Sequence, residues 1–445
     1  MKKAVACICI LCAILIFCLS ACNTGGTEPS TPLGNGVEQL EPSASANPLP
    51  KHERDDWGFL NINTSANLFS YDFAEQTYSL NNSGNFAVSP ISVYMALSIA
   101  AQCAAGQTRE EIVSALGISY DELAANFAKL YKSLIYEWVS DDRLITKSSI
   151  SNSIWLNSGL SDLEVNDDCL ITLANNFFCD SFSADFVNEN KQANQAIRQF
   201  VKQCTNNLID KDFNFPEDVS LLLLNTLYLK DLWDSSGEEL PFTKDNYSFV
   251  GVDGTKSCKL LQGDYSLGRI YEDETFTHYY TRTARGYKVK FILPKDGYSV
   301  AEVFTANNIE KVNAITDYRP RDVEKLIRYN TRCLFPEFQS SFDGDVSKVL
   351  QNHFGIKAMF DLATGNFGTI SNTQNFCASV RHAANLSVNR FGIEGAAVTV
   401  MQLVGAVGPD EYTDVYIDFV LDRAFGYVIT DYYDTVLFAG VVNQI

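Results

Sequence analysis

Apolar residues along this chain recur at two spacings, every three or four residues in its first half and in short dense runs towards its end. Val93, Met95, Ala96, Leu97, Ile99 and Ala100 follow Pro90, which suits the first turn of a helix. Ser89 can cap that helix and Gly106 can end it. Leu123, Phe127, Leu130, Leu134 and Trp138 predict a second, amphipathic helix. Ala193, Ile197, Phe200, Val201 and Cys204 predict a third, shorter one. Strand-like runs are Leu221 to Leu229, Tyr287 to Leu293, Leu386 to Val388, Tyr416 to Leu421 and Gly426 to Ile429. No repeat or internal linker interrupts the chain after about residue 58. The body, residues 58–445, therefore reads as one large α+β domain.

The first segment has a different pattern. Lys2 and Lys3 precede an apolar run from Ala4 to Leu19, and Ser20 and Ala21 lead into Cys22. A charged start, an apolar middle and small residues before a cut describe a secretory signal peptide over residues 1–21. Leu19-Ser20-Ala21-Cys22 resembles the bacterial lipoprotein box, which implies cleavage before Cys22 and lipidation of its thiol. Residues 22–57 then read as a lipidated N-terminus and a disordered Pro/Gly/Ser-rich tether. The expectation is a protein lipid-anchored to a bacterial membrane on the extracytoplasmic side.

Composition narrows the function. Lys and Arg total 34 against 54 Asp and Glu, a formal charge of −20. That balance argues against nucleic acid, whose phosphates demand basic side chains. Only four His (His52, His278, His353 and His382) are present, and each stands alone. No zinc-binding, nucleophile-elbow, Walker or dinucleotide motif occurs. A non-enzyme without metal or cofactor is the expectation. Of twelve Cys, five lie in the signal or lipid box. Cys103, Cys169, Cys179, Cys204, Cys258, Cys333 and Cys377 remain, an odd set at irregular spacing that reads as buried thiols.

Several segments together suggest a family. Asn85 to Gly117, NFAVSPISVYMALSIAAQCAAGQTREEIVSALG, resembles the serpin segment with Ser-Pro-x-Ser, a long helix and a Gly-x-Thr turn before a second helix. NSIWLN (Asn152 to Asn157), LLNTLYLKDLW (Leu223 to Trp233) and FPEFQSSFDGDVSKVLQNHFGIKAMF (Phe335 to Phe360) are similar to further serpin stretches, in family order. VRHAANLSVNRFGIEGAAVTV (Val380 to Val400) resembles the strand and hinge before the reactive loop. FVLDRAFGYVITDYYDTVLFAGVVNQI resembles the closing strands.

The resemblance implies one domain with a five-stranded central sheet, two further sheets, surrounding helices and an exposed reactive-centre loop. It implies a monomeric suicide inhibitor that forms a covalent acyl-enzyme with a serine protease, or with a cysteine protease as second target class. The cleaved loop then enters the central sheet as a new strand. The implied hinge is Gly392, Ile393, Glu394, Gly395, Ala396, Ala397, Val398 and Thr399. Strand alternation puts Ile393, Gly395, Ala397 and Thr399 on one face and Glu394, the only charge, on the face meeting solvent. The implied sheet-opening residues are Ser89, Ser92, Asn225 and His382, with Trp233 where insertion starts. A non-inhibitory serpin that acts by surface binding is the alternative.

Some residues depart from the family pattern. Arg390 stands where inhibitory members carry an acid, which removes an expected ion pair. Gly395 replaces alanine, and Ala424 and Gly426 alter the closing motif. The loop is longer than usual. Its customary length counted from Gly392 puts the reactive bond at Ala406–Val407, with Val404 and Tyr412 as alternatives. The small apolar bait Leu403 to Ala406 suits an elastase-like or subtilisin-like pocket, and no Lys or Arg lies between Phe391 and Asp422.

Overall fold

The computed structural model describes residues 36–40, 42–44, 59–80, 84–160, 163–315, 321–322, 325–372, 379–394 and 412–445. The signal segment, Cys22, Cys377 and residues 395–411 lie outside these.

The largest sheet has eight strands. Five run side by side in the order Cys179–Ala184, Arg143–Asn157, Leu221–Leu232, Arg381–Asn389 and Phe338–Asp345, with Gly392–Ile393 between the third and fourth. These five are the implied central sheet. Two more short strands extend it: Tyr136–Ser140 pairs with the first residues of Arg143–Asn157, and Val37–Leu40 pairs antiparallel with Cys179–Ala184. Arg143–Asn157 shows why the sheet can be covered on both faces. At its end Ile154 and Leu156 enter the main core, while Trp155 enters a second core with Phe182, Phe186, Ile197 and Phe200. The apolar stripe of helix Asn190–Cys204 closes that second core, as its 3.6-residue spacing predicts.

Behind the main core stands a six-stranded antiparallel sheet containing Phe276–Arg282, Lys288–Pro294, Phe425–Thr430 and Val436–Val442. A five-stranded sheet is built around the parallel pair Ile327–Phe335 and Thr413–Val420. The hairpin Tyr247–Gly251 and Gly254–Cys258 forms a small fourth sheet beyond the two further ones expected.

Three local expectations are corrected. The helix starting at Pro90 ends at Cys103, not at Gly106. Ala104 and Ala105 are extended, and Gly106, with φ +54°, opens a new helix Gly106–Leu116. Trp138 is not on the second helix, which spans Tyr120–Leu134. Asp141 and Asp142 adopt left-handed φ values of 50° and 60°, and that tight turn folds Tyr136–Ser140 back as a strand. The stretch read as tether is also partly ordered. Val37–Leu40 is a strand, and Asp180 accepts from Gln39 Nε2 at 3.1 Å, Ser43 Oγ at 3.0 Å and the Ala44 N–H at 2.9 Å. Two apolar residues sufficed there because an existing sheet edge supplied the backbone partners.

The six described cysteines are free thiols, five of them buried.

Candidate functional site

Strands Leu221–Leu232 and Arg381–Asn389 lie on either side of a gap. Among the described residues no ladder joins them directly, and Gly392–Ile393 pairs antiparallel with both. The chain reaches that position through a two-residue turn, Arg390 and Phe391, in which Asn389 Oδ1 accepts the Phe391 N–H at 2.8 Å. Gly392 has φ +152°, and a Cβ there would collide with the Asp231 carbonyl oxygen, so only glycine lets the chain lie this close. Ile393 is fully buried in the main core.

Below the hinge the gap widens into a cavity of about 90 Å³. Leu224 to Leu227 line one side and Arg381 to Asn385 the other; Ser89 and Ser92 also line it. Ile209 and Phe213, from the segment after helix Asn190–Cys204, reach it as well. The four implied sheet-opening residues thus share one cavity, but their hydrogen bonds do not cross it. His382 Nε2 accepts the Ser89 N–H at 3.1 Å, and the Ser89 and Ser92 hydroxyls bond at 2.9 Å. Asn225 turns the other way, and its Nδ2 donates to Asn152 Oδ1 at 2.6 Å. Burial pushes the His382 imidazole down to about 4, so the ring is a neutral acceptor. Among the described residues Asn225 Oδ1 and Thr226 Oγ1 are buried without a hydrogen-bond partner.

The segment over the gap is tied to the helix before it and to the strands on one side of the gap. Asp210 pairs with Arg198 and Lys202 of the preceding helix, and Lys211 Nζ lies 2.6 Å from Asp343 on the far strand Phe338–Asp345. Asn385 Nδ2 donates to the Leu208 carbonyl at 3.3 Å.

At the upper end, Trp233 Nε1 donates to the Asn389 carbonyl at 2.7 Å, and the indole meets Phe335 edge-on at 5.5 Å. Arg390 does not lack a partner, contrary to expectation. Its guanidinium pairs with Glu239, and its N–H donates to Glu337 Oε1 at 2.8 Å. An ion pair forms here with the arginine on the hinge side. In the docked hinge Glu394 has a left-handed φ of +66° and is half-buried, with its side chain beside Tyr228.

Asp231, unremarked in the sequence, is fully buried beside the hinge. Thr146 Oγ1 donates to it at 2.5 Å and the Arg285 N–H at 3.1 Å. Only its place two residues before Trp233 could have drawn notice. Gly395, Ala396, Ala397, Val398 and Thr399 lie outside the described residues, as do Val404, Ala406 and Val407. Tyr412 immediately precedes Thr413–Val420, whose first N–H donates to the Leu326 carbonyl at 2.7 Å.

Residues 64–445 match the family model described as serpin (serine protease inhibitor), and the chain belongs to that family. Iripin-1 of Ixodes ricinus is 28% identical over 366 residues, covering 81% of this chain and 89% of that protein. Serpin-Z10 of Arabidopsis thaliana is 26% identical, over 81% of this chain and 92% of its own. Among solved structures, the native state of the thermophilic serpin tengpin aligns with TM-score 0.68 and 22% identity, covering 89% of this chain and 96% of that one. Human thyroxine-binding globulin with its hormone aligns with TM-score 0.66 and 18% identity, over 87% and 99%.

Proposed function

We propose that this protein is a suicide-substrate inhibitor of serine proteases, with cysteine proteases as a second target class and no catalysis of its own. The observation that carries the reading is Gly392–Ile393, already paired with two strands that otherwise share no ladder. The loop after it is the chain that would fill the remaining gap. A protease would attack the carbonyl of Ala406, release Val407 as the new amine terminus and remain esterified to Ala406. Residues 394 to 406 would then enter as a strand. At about 3.3 Å per residue that carries the esterified carbonyl about 43 Å, beyond the nine-residue strand beside it. Elastase-like or subtilisin-like proteases are the favoured targets. The protein acts as a monomer, held by lipidated Cys22 on the extracytoplasmic side of a bacterial membrane.

The test incubates the full chain with elastase, subtilisin and trypsin. An SDS-stable complex with the first two, a cut at Ala406–Val407 by mass spectrometry, and a large rise in melting temperature after loop cleavage are expected. Cleavage without complex or stabilisation would overturn the inhibitory reading in favour of a non-inhibitory serpin that acts by surface binding.

A further inference from the structure

The docked hinge places carboxyl groups on both faces of the sheet. Register puts Phe338, Val388, Ile393, Asp231 and Thr146 in one row across five strands, all buried on the core face. Asp231 is the one ionisable member of that row. Ile393 is its direct neighbour, so seating the hinge removes water from the Asp231 carboxylate on that side. On the opposite face, the Glu394 N–H donates to the Ser387 carbonyl at 2.7 Å and the side chain packs on Tyr228. Glu394 Oε2 is buried with no hydrogen-bond partner.

We propose that this hinge is a proton-dependent latch, seated between the two strands when Asp231 and Glu394 are protonated and released as they ionise. It deepens the inhibitor reading by adding a regulatory step to the same site. The groups facing Asp231 are the Thr146 and Thr283 hydroxyls, Tyr287, and Arg285, whose backbone N–H binds it. Those facing Glu394 are Tyr228 and Lys230 on one strand and Asn206 after helix Asn190–Cys204. Hydrogen bonds from Tyr228 and Asn206 and the charge of Lys230 favour the ionised Glu394. Those from Thr146, Thr283 and the Arg285 N–H, with the Arg285 charge, favour the ionised Asp231. Burial is the larger effect at both. It pushes Asp231 up to about 7 and Glu394 above the usual glutamate range.

Both shifts have the same sign. A carboxyl raised by docking binds its proton more tightly in the docked form. Docking is therefore fully favoured below the ordinary carboxylate range near pH 4 and weakens as pH rises towards 7. Each proton changes the docking equilibrium by at most about tenfold per pH unit.

Hydrogen exchange of the full chain between pH 5.5 and 8, corrected for the intrinsic rate, reads the latch at Gly392 to Glu394. Protection there should fall about tenfold or more from the acid to the neutral end, while strand Phe338–Asp345 stays constant. The variant Asp231→Asn with Glu394→Gln should flatten the profile, and Glu394→Gln alone should reduce its slope. Wild-type protection independent of pH, or an unchanged slope in Glu394→Gln and the double variant, would overturn the proposal. No protease enters this measurement, so its outcome is separate from whether an inhibitory complex forms.

Discussion

The indole N–H of Trp233 donates to the carbonyl oxygen of Asn389 at 2.7 Å and so joins the upper ends of the two strands between which the hinge sits. One side-chain bond bridges strands that have no ladder of their own among the described residues. Replacing Trp233 by Phe keeps a ring against Phe335 and removes the donor. Stability should fall by about 1–2 kcal/mol, from one lost bond and a carbonyl left without it. Urea unfolding measures the loss. Mild heating should also produce more oligomer by size exclusion, because parted strands offer unpaired edges. A variant equal to wild type in both would show that the bridge does not hold the sheet closed.

The Arg390–Glu239 pair is partly exposed and worth about 0.2–1 kcal/mol. Arg390→Glu should cost more than Arg390→Ala, since it sets a carboxylate against both Glu239 and Glu337. Adding Glu239→Arg should recover part of that loss. A double-mutant cycle by urea unfolding measures the coupling. Additive effects would mean that the two side chains do not communicate.

These two contacts mark how far the sequence could be read. The alternating and helical patterns placed Leu221–Leu232, Asn190–Cys204 and the closing strands, because each buries a continuous apolar face. Resemblance pointed to Ser89, Ser92, Asn225 and His382, which share one cavity although Ser89 and His382 stand hundreds of positions apart, and to Trp233 at the upper end of the gap. Other features were not legible. Glu239 is an ordinary surface acid until the fold brings Arg390 to it. Glu394 lies on the face opposite Ile393, as alternation has it, but only the fold shows that Tyr228 and Asn206 cover it there. Val37–Leu40 has too little apolar surface to fold alone, so only a waiting sheet edge makes it a strand.

That N-terminal strand yields a further expectation. A variant beginning at residue 51 removes Gln39, Ser43 and Ala44 from Asp180 and bares the outer edge of Cys179–Ala184. It should lose about 1–3 kcal/mol, the scale of a few hydrogen bonds exchanged for bonds to water at about 0.5–1.5 kcal/mol each. It should also associate in a concentration-dependent way. Asp180→Asn keeps the strand and weakens only its anchor, so its loss should be smaller. Analytical ultracentrifugation with urea unfolding separates the two effects, and a truncated chain as stable and monomeric as the full one would refute a structural role for residues 37–44.

His382 gives the lower end of the gap its own dependence on pH. Its Nε2 accepts the Ser89 N–H and its ring meets Phe73 edge-on at 6.0 Å, a setting with no place for a cation. Burial lowers it to about 4, against about 6.5 for a free imidazole. Between those values the unfolded chain binds a proton that the folded chain refuses. Stability must then fall as pH drops from 6.5 towards 4, by at most about 1.4 kcal/mol per pH unit for this one group. His278 is buried as well and lowered to about 3, so it adds a parallel loss in the wild type. The difference between wild type and His382→Gln isolates His382. The variant should be less stable at pH 7, and the gap should narrow as pH approaches 5. Urea unfolding at pH 7, 6 and 5 measures this, and parallel curves would show that His382 is not the neutral acceptor described. Proton binding at His382 would turn Nε2 from acceptor to donor and break its bond to Ser89. Acid thus loosens the lower gap while it seats the hinge above, and residue-level exchange resolves the two opposite effects where a melting curve would sum them.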